Sequence, residues 1–162
     1  MIAVVGLGGN VGDRAASLRA AIERLVALPG VVRSVVSPFY ETAPVGGPPQ
    51  GEFLNAAVAL ELDPPRSARA LVSALLAIEH EMGRARGERF GPRTIDLDLL
   101  WTDAPASAHL DAIVPHPRLH ERAFALAPLL DVVPDASAPD GTPYAELLGR
   151  LDCRGIRRVD AL

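Results

Sequence analysis

The sequence predicts an α+β protein: a ferredoxin-like βαββαβ core, with further helices and a strand toward the C-terminus, in three α-β-α layers. Two observations carry that expectation. Short apolar or β-branched runs and stretches of helical periodicity follow one another in the order β-α-β-β-α-β over the first hundred residues. Clusters of Gly and Pro punctuate the joins between them.

Residues 2–7 (IAVVGL) are a short apolar strand that runs into Gly8, Gly9 and Gly12. Asp13 is a good N-cap, and Leu18, Ala21, Ile22, Leu25 and Val26 then recur at helical spacing until Pro29-Gly30 stops the helix. Residues 31–39 are β-branched and strand-like, and a Gly/Pro-rich loop, APVGGPPQG, follows at 43–51. Phe53–Leu62 reads as the third strand. Pro64-Pro65 leads into a second helix over 67–82, with Leu71, Ala74, Leu75, Ile78 and Met82 on one face. Residues 83–92 form a polar, Arg-rich loop, and 94–100 the fourth strand. Beyond it the pattern predicts helices at 121–130 and 144–151, a surface loop at 135–143 and a last strand at Ile156–Val159. No repeat, low-complexity tract or linker divides the chain, so 162 residues are expected to form one domain.

Composition narrows the function classes. Apolar residues make up 49% of the chain, yet no apolar run approaches the roughly 18 residues of a membrane helix. One cysteine, Cys153, allows no disulfide within the chain and no Cys-based zinc site, which fits a reducing cytoplasm. A net charge of −4 argues against general nucleic-acid binding. All sixteen cations are arginines. Without lysine a GxxxxGK phosphate loop and Schiff-base chemistry are excluded, and any anion must be gripped by guanidinium groups, which suit bidentate phosphate contacts. No heptad or long apolar stripe calls for a partner subunit, so a monomer is expected.

The most unusual stretch is GPRTIDLD at 91–98. In a strand, alternation sends Ile95, Leu97 and Leu99 one way and Asp96 and Asp98 the other. Asp is a poor strand former, and two adjacent carboxylates repel unless a cation lies between them. Either the strand is half exposed with polar residues outside, or the pair holds Mg²⁺, which takes carboxylate oxygens and shares its shell with phosphate. The preceding RARGERFGPR puts Arg84, Arg86, Arg89 and Arg93 within ten residues, with Gly87 and Gly91 among them and Gly83 just before. Such a run is either a solvated charged loop or a cationic lid over metal-bound polyphosphate. Phe53 and Asn55 start one strand and pair an aromatic platform with an amide, which suits a flat heterocycle. VPHPRLHERAF supplies His116, Arg118, His120, Arg122 and Phe124; a metal role for His116 and His120 lacks a third ligand.

Four stretches, SPFYETAPVG, FLNAAVALE, GRARGERFGPRTIDLDLL and VPHPRLHERAF, resemble in order and spacing the 6-hydroxymethyl-7,8-dihydropterin pyrophosphokinases of folate biosynthesis. The resemblance runs from about Ile2 to the loop near Gly141. It implies transfer of the β,γ-pyrophosphoryl unit of ATP to the pterin hydroxymethyl group, with release of AMP and use of two Mg²⁺. By resemblance, Asp96 and Asp98 bind both metals, and Arg84 and Arg93 contact the phosphates and assist transfer. Arg86 and Arg89 join them on the catalytic loop, and Phe90 is a hydrophobic seal beside the pterin. His116 and Arg122 bind ATP. Phe53 and Phe124 sandwich the pterin, Asn55 bonds its edge, and Thr42, Pro44 and Val45 complete its pocket. Glu79 matches a recurrent family carboxylate, with a structural role as open as a catalytic one. The chain departs from the family at Gly9, often Ser; at Phe90, often Trp; at Leu76 and Pro117, where some members have polar contacts; and in a lysine-free loop one residue shorter. Two other functions fit the residues less well: another Mg²⁺-dependent nucleotidyl or phosphoryl transferase, and a ferredoxin-like binding module.

Overall fold

The computed structural model describes residues 1–44, 48–83 and 92–159. Its centre is two long neighbouring strands, β1 (Ile2–Gly9) and β4 (Phe53–Leu62), paired antiparallel from Ile2↔Glu61 to Gly9↔Leu54. β5 (Asp96–Thr102) lies on the other side of β1 and forms one edge of the sheet. On the far side of β4 lie β2 (Val31–Val36) and then β3 (Phe39–Thr42), and β3 pairs in turn with β8 (Ile156–Val159). Every pairing is antiparallel, in the order β5-β1-β4-β3-β8 with β2 beside β4.

Alternation along the central strands feeds two cores. Ala3, Val5 and Leu7 of β1, Val58 and Leu60 of β4 and Leu97 and Leu99 of β5 pack with α1 (Arg14–Val26) and α2 (Ala68–Glu81). Val4, Ala57, Ala59 and Leu100 point the other way, against α3 (Ala123–Val132) and α4 (Tyr144–Leu148), whose Leu126, Leu129 and Tyr144 are almost fully buried. β4 is therefore buried on both faces, and its side chains read as a continuous apolar run. Asp13 and Ser67 cap α1 and α2 by accepting the N–H of Ala16 (2.9 Å) and Ala70 (3.2 Å).

Several boundaries differ from the sequence expectation. The single strand expected over 31–39 is two, β2 and β3, because Pro38 has no N–H to give a ladder. Ser37 bridges the break: its N–H donates to the Ala57 carbonyl, and its hydroxyl accepts the Ala57 N–H, both at 2.9 Å. The strand expected at 94–100 begins at Asp96 and continues to Thr102, because Ala3 and Val4 of β1 still offer partners to Thr102 and Trp101. A register shift between Val4 and Val5 leaves Leu100 as the extra residue, buried in the second core. The helix expected at 121–130 is a 3-10 turn, Leu119–Glu121, followed by α3, and α4 stops at Leu148. The hairpin of β6 (Ser107–His109) and β7 (Ala112–Val114) was not expected; three-residue strands leave almost no periodic signal. The loop at 135–143 is tied down by a Ser137–Pro143 bridge and a buried Ala136.

Candidate active site

The two glycines of β1 that flank Leu7 shape the site. Gly8 lies opposite Asn55 of β4 on one side and Asp96 of β5 on the other. Gly6 lies between Ala57 and Asp98. Cross-strand neighbours share a face, so Asn55, Gly8 and Asp96 form one row across three strands. Their backbones span two strand spacings, roughly 10 Å. A Cβ on Gly8 would sit 2.8 Å from the Asn55 Oδ1, and one on Gly6 2.9 Å from the Leu100 side chain. Glycine at these positions leaves the space above the sheet open to a ligand.

That space is a cavity of about 470 Å³. Asp96, Asp98, Arg93 and Arg122 line one part, and Thr42, Pro44, Gln50, Phe53, Asn55 and Phe124 another. The pterin-pocket candidates among the described residues are thus brought together with the acidic pair. Asn55 is buried, and its Nδ2 donates to the Thr42 hydroxyl at 2.7 Å, so its Oδ1 is directed over Gly8. The Arg122 guanidinium lies 5.9 Å from the centre of the Phe124 ring, which ties the cationic part of the wall to the aromatic part. Val45, Arg84, Arg86, Arg89 and Phe90 lie outside the described residues.

The repulsion between Asp96 and Asp98 is answered by guanidinium groups from two directions. Arg93, three residues earlier, donates to Asp96 Oδ2. Arg122, at the start of α3, places Nη1 3.8 Å from Asp98 Oδ2. Among the described residues no group of three or more His, Cys, Asp or Glu side chains gathers as a metal site. The acidic pair alone still fits Mg²⁺, which takes one or two carboxylates and completes its shell with water and substrate phosphate.

His116 is not among the cavity-lining residues, but Arg122, Arg118 and Asp96 lie close enough to act on its charge. Its backbone N–H donates to the Leu100 carbonyl at 2.8 Å, fixing the stretch between two prolines against β5. Burial lowers its pKa most, Arg122 and Arg118 lower it further, and Asp96 opposes them. The ring is neutral at pH 7. Nδ1 accepts the Arg118 N–H at 3.2 Å, so the ring proton sits on Nε2.

Glu79 is 3% exposed and sits under the site, on the helical face of the sheet. Its Oε1 accepts the Leu97 N–H at 2.6 Å, between the two aspartates.

Several contributors escaped the sequence reading. Asn10, just past β1, bonds to Gln50, Gly51 and Arg93. Its signal was an Asn after a glycine pair, a residue that often bonds backbone. Glu121 lines the cavity and pairs at 2.9 Å with Arg118, a lining residue the sequence did single out. Leu151, Asp152, Gly155 and Ile156, leading into β8, close it from the C-terminal side. Glu41 joins that side to the front of α1, accepting from Arg14 at 2.7 Å and from Arg157, while Arg14 also donates to the Glu52 carbonyl at 2.9 Å.

Residues 4–134 match the family described as 7,8-dihydro-6-hydroxymethylpterin-pyrophosphokinase. The chain is 41% identical over 158 residues to the 2-amino-4-hydroxy-6-hydroxymethyldihydropteridine pyrophosphokinase of Methylorubrum extorquens, covering 98% of each. It is 39% identical to the enzyme of that name from Pseudomonas aeruginosa, over 96% of this chain and 94% of the relative. The Bacillus subtilis enzyme is 44% identical over 131 residues, 81% of this chain and 77% of the relative. Among solved structures, the wild-type HPPK-DHPS of Plasmodium falciparum with pteroate superposes with a TM-score of 0.63 at 15% identity. The match covers 92% of this chain and 44% of that one, and at such identity it speaks for the fold alone: mixed α+β with an antiparallel sheet. These findings set aside the binding-module and unrelated-transferase readings. The chain belongs to the 7,8-dihydro-6-hydroxymethylpterin-pyrophosphokinase family, and its activity is pyrophosphoryl transfer to hydroxymethyldihydropterin in folate biosynthesis.

Proposed function

We propose that the chain carries out this transfer with ATP and the reduced pterin alcohol bound side by side above β1, in one cavity. The observation that carries the reading is the row Asn55–Gly8–Asp96, in which the backbones of an amide residue fit for a heterocycle edge and of the first aspartate lie two strand spacings, roughly 10 Å, apart. Phe53 and Phe124 would hold the two faces of the pterin, with Asn55, Thr42 and backbone near Pro44 and Val45 reading its edge. Asp96 and Asp98 would hold two Mg²⁺. When bound, these ions neutralise phosphate charge and acidify the pterin hydroxyl.

The remaining work falls to groups of the chain itself. Arg93 would grip phosphate oxygens, joined by Arg84, Arg86 and Arg89, with Phe90 sealing the pterin side. Arg122 and neutral His116 would contact the nucleotide, His116 through its Nε2 proton. The pterin hydroxyl oxygen attacks the β-phosphorus, the bond from that phosphorus to the oxygen bridging the α-phosphorus breaks, and AMP leaves. The hydroxyl proton passes to solvent. No strong base stands beside Asn55 among the cavity-lining side chains described, so rate arises from in-line placement and charge neutralisation.

In fold terms, β2 and β3 together act as the second strand of a ferredoxin-like βαββαβ unit, and α3 and α4 add the third layer. We take the chain as a single cytoplasmic domain acting as a monomer. No helix among the described residues is long and apolar enough to cross a membrane. Incubation with ATP, Mg²⁺ and 6-hydroxymethyl-7,8-dihydropterin, followed by chromatography of the nucleotides, tests the reading. AMP supports it, and ADP or no turnover rejects it.

A further inference from the structure

We propose that Asn10 is a positioning residue that registers the pterin side of the cavity against the phosphate-binding Arg93. The inference rests on the reading of Arg93 as a phosphate ligand. Arg93 lies outside the β-ladder, since the pairing of β5 with β1 ends at Gly8↔Asp96. Its peptide group is held instead by Asn10. The Asn10 N–H donates to the Arg93 carbonyl, and the Arg93 N–H donates to the Asn10 Oδ1, both at 3.0 Å. This reciprocal pair extends the ladder past the end of the strand, with a side-chain oxygen standing in for a backbone carbonyl.

The other half of the same amide faces the opposite segment. Asn10 Nδ2 donates to Gln50 Oε1 at 2.8 Å and to the Gly51 carbonyl at 3.1 Å. Both hydrogens of the amide and its oxygen are therefore committed. The partners lie 40, 41 and 83 residues away, so this is no local turn. Gln50 lines the cavity beside Pro44 and Phe53, and Arg93 lines it beside Asp96. One side chain, mounted just past the end of the strand that floors the cavity, thus sets where both walls stand. Its chemistry is demanding. Aspartate keeps the acceptor but loses both donors, serine has one donor, and glutamine is one methylene too long. Gly9 makes the close approach possible, because a Cβ there would lie 2.5 Å from the Thr94 carbonyl oxygen.

The test uses Asn10→Ala, Asn10→Asp and Gln50→Ala in the full-length protein. Hydrogen exchange read by NMR without ligand comes first. Asn10→Ala is expected to speed exchange of the Arg93 amide at least about tenfold, on the scale of a lost hydrogen bond of ~1.4 kcal/mol. Asn10→Asp and Gln50→Ala leave that amide protected, and Gln50→Ala frees the one Asn10 side-chain proton that Gln50 accepts, while the Gly51 carbonyl keeps the other. In turnover, Asn10→Ala is expected to lower kcat by about 10- to 100-fold, the scale of a misplacement near 1 Å, with KM for ATP and pterin within about threefold. Asn10→Asp and Gln50→Ala fall between it and wild type. Unchanged exchange at Arg93, kcat within about twofold of wild type, or a loss confined to thermal stability would overturn the assignment. Should Asn10→Ala not fold, Gln50→Ala decides: normal kcat with that one Asn10 amide proton freed defeats the link. If the wild-type protein forms no AMP, the functional reading fails, while the exchange measurement still judges the clasp on its own.

Discussion

Removing the carboxylate of Glu79 separates a structural role from a catalytic one. β5 is the edge of the sheet, and its Leu97 N–H points away from β1 toward α2. Glu79 covers it at 2.6 Å from a position that is 3% exposed. In Glu79→Ala the buried N–H loses its acceptor, and an unsatisfied buried donor costs about 1–3 kcal/mol. Loss of a buried methylene adds ~0.8 kcal/mol, giving about 2–4 kcal/mol in all. For a chain of this size, each kcal/mol lowers Tm by about 2–4 °C, so a fall of roughly 4–16 °C is expected. Glu79→Gln keeps an acceptor oxygen at the same reach and is expected to recover more than half of that loss. Because Leu97 lies between Asp96 and Asp98, Glu79→Ala also loosens the acidic pair and lowers kcat, whereas folded Glu79→Gln stays within a few-fold of wild type. Urea unfolding and AMP formation on the same preparations provide the assay. A Glu79→Gln protein of wild-type stability that forms no AMP would refute the argument and make the carboxylate catalytic.

Asp98→Ala is expected to abolish most AMP formation while changing stability by less than about 1 kcal/mol, since the side chain is 41% exposed and its Arg122 contact is a long 3.8 Å. Urea unfolding in metal-free buffer checks it, and a large destabilisation would point to a structural carboxylate. Gly9→Ala puts a Cβ 2.5 Å from the Thr94 carbonyl and is expected to cost about 1–3 kcal/mol as overpacking. It should lower kcat as well by moving Arg93; thermal melts and turnover measure the two effects. His116 has a depressed pKa in the fold, so it binds fewer protons there than in the unfolded chain. Its contribution is fully present above the ordinary histidine pKa of about 6.5 and is lost as pH falls through the folded value. Unfolding free energies measured at pH 7.5 and 5.5 should show an acid loss in wild type that is smaller in His116→Asn.

Element order was legible because period-2 and period-3.6 runs alternate cleanly, and the cap Asp13 stands where the first helix begins. The shared face of Asp96 and Asp98 was legible for the same local reason, with Leu97 and Leu99 buried opposite. The break at Ser37-Pro38 was misread because β-branched residues on both sides mask one missing N–H. Strand ends were misread because a strand stops where its partner stops, which lies in another segment. The site depended on such long-range register. Nothing local to Arg122 shows that it reaches Asp98, and nothing near Asn10 shows that Gln50 and Arg93 converge on it. Local chemistry along the chain determined which residues carry charge, aromatic surface and turns. Tertiary pairing alone decided that Asn55, Gly8 and Asp96 form one row, because antiparallel register brings together residues that have no sequence proximity.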